Sequence, residues 1–309
     1  MQVVDPPKIS FMAAFKRHEP VIMDSTAMMT YKTCPRKYFY RIVLGFSPKE
    51  TAEYFAFGTA YHKFREVLQR KADVDKLPVQ EAFIEALKVA EAFYPEAKQP
   101  KLGSKWDFLT KDRLRQSCYK AFEHWLKERL DGHIRVIAFE QPFILELSDG
   151  TKIAGRADNI VDWRHEIWGR DFKTSSKLGP FYSRTLEPND QFTRYTFGEA
   201  AVTGRKVKGQ IVEVLFNSKK EGPKIEVFTT TRSEGQIARW LQEHSFWMKL
   251  IEASRNEDMY PMNEKSCSFC EYHSVCKAAS ESGQMSQLKA YYKVEPWDCT
   301  KSPDEGTNS

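Results

Sequence analysis

The sequence predicts an α+β fold, a central mixed sheet with helices on its faces. Three observations carry this. Apolar residues recur at three- and four-residue spacing through 21–132. From Val136 the period shortens to that of strands, in three consecutive runs. A helical stretch, a strand pair and a second helical stretch then follow, with no internal repeat.

Residues 1–20 carry several prolines and no period, which predicts a loose arm. Asp24 or Ser25 can cap a helical run to Tyr40, with Met28, Tyr31, Tyr38 and Phe39 at helical spacing. Cys34-Pro35 should split that run, because proline lacks an N–H and restricts the residue before it. Phe57 to Arg70 predicts a stronger helix. Its Phe57, Tyr61, Phe64 and Leu68 form one ridge, with His62, Arg65, Glu66 and Gln69 beside it. A helix over 79–93, a loop rich in Pro, Gly and Lys over Pro95–Ser104 and a helix over 110–130 complete this part.

The strands are Val136–Leu147, Lys152–Asp162 and Ile167–Thr174. Ser148-Asp149-Gly150 makes the first hairpin turn, and the chain folds back again around Arg164-His165. Alternation is imperfect in the second and third strands, which predicts a bulge. Pro188 suits the first turn of a helix to Val202, ended by Gly204. Val207–Asn217 and Lys224–Thr230 pair around Gly222-Pro223 and close a sheet core over 133–232. Ser233 caps a helix to Asn256, and a cysteine-rich segment brings this last part to 280. The expectation is one domain over 21–300 and a disordered polar tail over 301–309.

With 309 residues, 41% hydrophobic and 29% charged, the composition is that of an ordinary globular protein. A net charge of +5 permits nucleic-acid binding without arguing for it. No apolar run of about 18 residues predicts a membrane span, and the first thirty residues lack the basic end and apolar run expected of a signal peptide. The expected compartment is the cytoplasm, or a host's cytoplasm for a phage-encoded chain. There the six cysteines read as metal ligands or buried thiols rather than disulfides.

Two constellations carry chemistry. Asp171 and Lys173 share one face of a strand, roughly 6.6 Å apart, and Asp158 lies on the strand before. Two carboxylates beside an amine can hold a hard divalent cation and orient water for attack on phosphate. Taken singly, Asp158 and Asp171 read as turn or surface acids, as they would be in most proteins. Cys267-x2-Cys270-x5-Cys276 supplies three thiols where zinc or an iron–sulfur cluster takes four ligands. Cys34, Cys118, Cys299 or His273 can complete the set. Arg36, Lys37 and Arg41, interleaved with Tyr38 and Tyr40, suit a DNA-binding surface as well as a solvated helix face with its aromatics inward.

Five motifs then coincide in order: Thr33-Cys34-Pro35-Arg36-Lys37-Tyr38, Gly58-Thr59-Ala60-Tyr61-His62, Gly155-x2-Asp158, Asp171-x-Lys173 and Gln191-x3-Tyr195. With the distant cysteines they resemble the RecB-type branch of the PD-(D/E)XK nucleases. The likeness is to iron–sulfur members such as the AddB nuclease domain and the CRISPR-associated spacer-trimming exonucleases. It runs from Cys34 to Cys276.

The resemblance implies a restriction-endonuclease-like core, its N-terminal helical region and C-terminal segment joined by a four-cysteine metal cluster. It implies that His62, Asp158, Asp171 and the carbonyl of Phe172 ligate Mg²⁺ or Mn²⁺, and that Lys173 positions and activates the attacking water. Gln191 and Tyr195 join the catalytic set by touching DNA or supporting the lysine. Cys34, Cys267, Cys270 and Cys276 map to the ligands of a 4Fe-4S cluster, with zinc as the alternative. Asp171 stands where many relatives carry Glu, and Glu140 is a further candidate acid.

The implied activity is metal-dependent exonuclease action on DNA, single-stranded ends favoured, in recombination, repair or replication. The rival readings are a non-catalytic DNA-binding recombination subunit of the same fold and a zinc-clasped protein of other function. The chain has no G-x4-G-K-[ST] motif, so a helicase or single-strand-annealing partner would be a separate protein. Cys118 and Cys299 have no assigned role.

Overall fold

The computed structural model describes residues 12, 15–18, 22–50, 53–101, 103–177 and 180–299. Most of the expected arm and all of the expected tail lie outside the described residues. In chain order the elements begin with β1 (Ile22–Met23), α1 (Ser25–Thr33), α2 (Pro35–Tyr38), β2 (Phe46–Pro48), α3 (Glu53–Gln69), α4 (Val79–Phe93) and α5 (Lys111–Asp131). They continue with β3 (Ile134–Glu146), β4 (Lys152–Trp163), β5 (Glu166–Ser175), α6 (Pro180–Arg184), α7 (Asp190–Thr203), β6 (Val207–Phe216) and β7 (Lys224–Thr231). The last are α8 (Glu234–Asn256), α9 (His273–Lys277), α10 (Glu281–Tyr291) and β8 (Tyr292–Val294).

The chain packs as two compact units. One comprises Met1–Glu50, Leu145–Ala154 and Leu241–Ser309; the other comprises Thr51–Ile144 and Gly155–Trp240. In the first, Asp24 caps α1 by accepting from the N–H of Ala27 at 2.8 Å. The helical run breaks at Cys34-Pro35 as expected, and a π-turn over Phe39–Val43 follows α2. β1 lies parallel to the first two residues of β4, and β2 pairs antiparallel with β8. The core of this unit is aromatic, with Tyr38, Phe39, Tyr40 and Tyr272 all buried. That settles the reading of Arg36 to Arg41 against a base-stacking surface. Arg36 and Arg41 donate to the carbonyls of Tyr260 and Glu295, and Lys37 pairs with Glu271 at 3.0 Å.

The sheet is mixed. Its order is β1-β4-β5-β6-β7, with β3 beside β4. β4 and β5 are antiparallel, and Arg164 and His165, at φ 54 and 68, form the two-residue left-handed turn that such a hairpin favours. β5 and β6 are parallel, linked by α6 and α7, with a register irregularity between Ile167 and Gly169. β6 and β7 are antiparallel. On one face Phe172 and Leu215 join the ridge residues Phe57, Tyr61, Phe64 and Leu68 of α3 in a core shared with α4 and α5. On the other, Val212 and Val214 pack with Phe192 of α7.

Helix α7 begins at Asp190 rather than at Pro188. Asn189 takes the cap, its side chain accepting from the N–H of Phe192, so Pro188 stands outside the helix. The short elements β1, β2, α6, α9, α10 and β8 carried no readable period.

Candidate active site

β4 and β5 stay paired from Trp163 opposite Glu166 to Asn159 opposite Arg170. At the next residue a side chain takes the place of a backbone carbonyl. Asp158 Oδ2 accepts from the N–H of Phe172 at 2.7 Å. In a strand the N–H and C=O of one residue point to the same side, so the Phe172 carbonyl faces the same opening. Asp171 and Lys173 flank Phe172, and Lys173 Nζ lies 2.7 Å from Asp171 Oδ2 and 2.9 Å from Oδ1. From α3, His62 brings Nδ1 to 3.6 Å from Asp158 Oδ2. One turn before it, Gly58 lies close to β5; a Cβ there would stand 3.2 Å from Thr174 Oγ1.

Gln191 and Tyr195 occupy successive turns of α7 and are joined by Gln191 Nε2 donating to the Tyr195 hydroxyl at 3.0 Å. Gly155 and Gly198 explain how α7 approaches β4. A Cβ on either would run into the ring of Phe143, which fills the space between them edge-on to Tyr195. The glycine three residues before Asp158 is therefore a packing requirement.

Electrostatics favour a cation here. Asp171 is 2% exposed, and burial pushes its carboxyl up to about 6 although Lys173 pulls the other way. Burial also raises Asp158, again against Lys173. The His62 imidazole is held down to about 4, first by loss of water and then by the charge of Lys173, so it is neutral with a lone pair to give. Two carboxylates, a carbonyl and one neutral imidazole match the donor preferences of Mg²⁺ and, with the nitrogen, Mn²⁺. A divalent ion would offset the cost of two buried carboxylates beside a single lysine. In donor type the residues present fit the group, while the ligand atoms of His62, Asp158 and Asp171 do not all lie within 4.8 Å of one another.

Three acids near this centre were marginal in, or missed by, the sequence reading. Glu140, at a left-handed φ of 44 in β3, has its carboxyl pushed up to about 8 by burial, with the charges of Asp158 and Glu66 adding. Glu66 lies one turn after His62. Glu199 is fully buried, takes a hydrogen bond from Gln210 Nε2 at 2.7 Å and is pushed up to about 8 by burial. Its signal was present: Gln191, Tyr195 and Glu199 recur every four residues on one face of α7.

A second cluster lies on the face of β5 and β6 that carries Phe172. The ligand atoms of His124, Glu128 and Glu213 lie within 4.8 Å of one another. Both carboxylates are already taken by guanidiniums. Arg170 pairs with Glu128 at 2.7 Å and with Glu213, and Arg65 pairs with Glu213 at 3.0 Å. This is a buried ion-pair network tying α3 and α5 to the sheet, and its carboxylates are spoken for.

In the first unit Cys34 and Cys267 meet at Asn263, and among the described residues no three of the four cysteine sulfurs lie within 4.8 Å of one another. Asn263 donates its N–H to Cys34 Sγ at 3.4 Å and accepts from Cys267 Sγ at 3.9 Å. The Cys270 N–H bonds back to the carbonyl of Cys267. Burial pushes the Cys276 thiol up to about 11, with Cys270 and Cys34 adding to the effect. As soft donors the four thiols suit zinc or an iron–sulfur group in ligand type, and burial raises the Cys270 and Cys276 thiols, a cost that a bound metal would offset. Cys118 is buried in the other unit beside Leu114 and Ala121.

A family model described as the PD-(D/E)XK nuclease superfamily matches residues 25–277. A comparison with curated proteins finds no match. Among solved structures, a candidate exonuclease of Eubacterium rectale aligns at a TM-score of 0.48 and 11% identity, over 81% of this chain and 86% of that one. LHK-Exo in complex with dAMP aligns at a TM-score of 0.26 and 14% identity, over 66% of this chain and 94% of that one.

Proposed function

The chain belongs to the PD-(D/E)XK nuclease superfamily, and from that premise we propose that it is a divalent-metal-dependent exonuclease acting on single-stranded DNA ends. One observation carries the reading. Asp158, Asp171, Lys173, His62 and the Phe172 carbonyl converge at the end of the paired stretch of β4 and β5. His62, Asp158, Asp171 and that carbonyl would hold Mg²⁺ or Mn²⁺. A bound ion would supply Lewis acidity at the phosphate. Asp171 steers Lys173 by its close ion pair. Lys173, as an ammonium, orients the attacking water and offsets the charge that grows on the phosphate oxygens. Gln191 and Tyr195 act as a hydrogen-bonded pair on α7 that supports the lysine or touches the DNA.

Cys34, Cys267, Cys270 and Cys276 hold a structural 4Fe-4S cluster in this reading, with zinc the alternative. Thiolates in that role belong to a reducing compartment such as the cytoplasm. A helicase or annealing protein working on the same DNA would be a separate chain. No described helix is long and apolar enough to cross a membrane.

The test is incubation of the full chain, purified anaerobically, with end-labelled single-stranded and duplex DNA, with Mn²⁺, Mg²⁺ or chelator. Metal-dependent shortening from an end is expected, fastest on single strands. Intact single strands at saturating Mn²⁺ would refute the proposal. An absorbance band near 400 nm distinguishes the cluster from zinc.

A further inference from the structure

His62 is preceded on α3 at one and two turns by Gly58 and Tyr54, so the three share a helix face. Gly58 abuts Thr174, the residue after Lys173, which sets this face at the catalytic end of β5. Here α3 leaves large aromatic area in water: Tyr54 is 41% and Phe55 is 59% exposed. Their ring centroids are 4.3 Å apart, and Tyr54 continues onto Trp106 at 5.2 Å. Trp106 follows the loop rich in Pro, Gly and Lys over Pro95–Ser104. Glu53 fastens that loop, accepting from the N–H of Lys101 at 3.2 Å and from Ser104 Oγ at 2.9 Å. Lys101 and Lys105 are both exposed, and Lys105 Nζ sits 5.1 Å over the Trp106 ring. Exposed rings framed by ammonium groups suit a polyanion with flat apolar faces.

We propose that Phe55, Tyr54 and Trp106 form a stacking platform for the bases of single-stranded DNA, with Lys101 and Lys105 on its phosphates. The proposal rests on the nuclease reading above and adds the place where the strand is gripped. The helical rise from Phe55 to His62 is about 10 Å. That corresponds to roughly three nucleotides at the 3.4 Å spacing of stacked bases. The platform therefore holds the strand a few nucleotides from the phosphate being cut, and it favours unpaired bases because paired ones present no free face.

The experiment measures binding of the full chain, in chelating buffer, to a labelled oligothymidylate and to an abasic strand of equal length. Wild type binds the first about tenfold more tightly. Phe55→Ala loses that difference, Phe55→Trp keeps it, and Lys105→Glu weakens both strands. Phe55 is exposed, so truncating it leaves the core intact. If Phe55→Ala retains the wild-type preference, the platform is overturned. It is likewise overturned if Phe55→Ala leaves DNA affinity intact but dissolves an oligomer, since the patch is then a self-association surface. Wild-type protein that binds neither strand and cuts none refutes the nuclease reading itself, a distinct result.

Discussion

Asp158 accepts a 2.7 Å hydrogen bond from the N–H of Phe172, so the carboxylate that replaces strand pairing between β4 and β5 also faces the opening between them. Structure and charge can be separated at this residue. Asp158→Asn keeps an acceptor for the Phe172 N–H and loses the charge. It should unfold in urea within about 1 kcal/mol of wild type, whereas Asp158→Ala, leaving that buried N–H bare, should cost about 1–3 kcal/mol. Both should lose metal-dependent cutting.

Gly155 and Gly198 make room for one ring. Gly155→Ala should destabilise the chain by about 1–3 kcal/mol through overpacking against Phe143. Adding Phe143→Leu should return part of that loss, a favourable coupling readable in a double-mutant cycle of urea midpoints.

The ion network on the Phe172 face of the sheet is expected to be costly to open. Arg170→Met leaves Glu128 and Glu213 short of a partner in a buried setting and should cost about 3–5 kcal/mol in chemical denaturation.

Glu199 links stability to pH. Its carboxyl titrates near 8 in the fold against an ordinary value of 4.5. Between those values the folded chain keeps a proton that the unfolded chain has lost. Stability therefore falls as pH rises through that window, by about 1.4 kcal/mol per pH unit from this group, and is level outside it. Glu199→Gln, neutral at every pH, should reduce the slope by that amount and leave the part that Glu140 contributes over the same window. Urea midpoints from pH 4 to 9 in chelator check it.

Much of the candidate site was legible because it follows short strand and helix periods. The two-residue spacing put Asp171 and Lys173 on one face, and the four-residue spacing paired Gln191 with Tyr195. Helices α3, α4 and α5 and the mixed sheet lie near the expected residues, because their apolar periods are long. What stayed hidden depends on tertiary approach. Arg65 reads as a polar neighbour of an apolar ridge until Glu213 meets it from β6, far along the chain. Glu140 enters through a left-handed residue that no period announces. Tyr38 and Tyr40 looked equally suited to DNA and to a core, and packing against Tyr260 and Tyr272 decided for the core.

The central claim is that Lys173 acts on the reaction while His62, Asp158 and Asp171 hold the ion. The most direct measurement compares wild type and Lys173→Ala by Mn²⁺ titration under electron paramagnetic resonance and by single-turnover cutting of end-labelled single-stranded DNA. Lys173→Ala should bind Mn²⁺ at least as tightly as wild type and cut about 10²–10⁴-fold more slowly. Cutting at the wild-type rate, or loss of Mn²⁺ binding in a folded Lys173→Ala chain, contradicts the account.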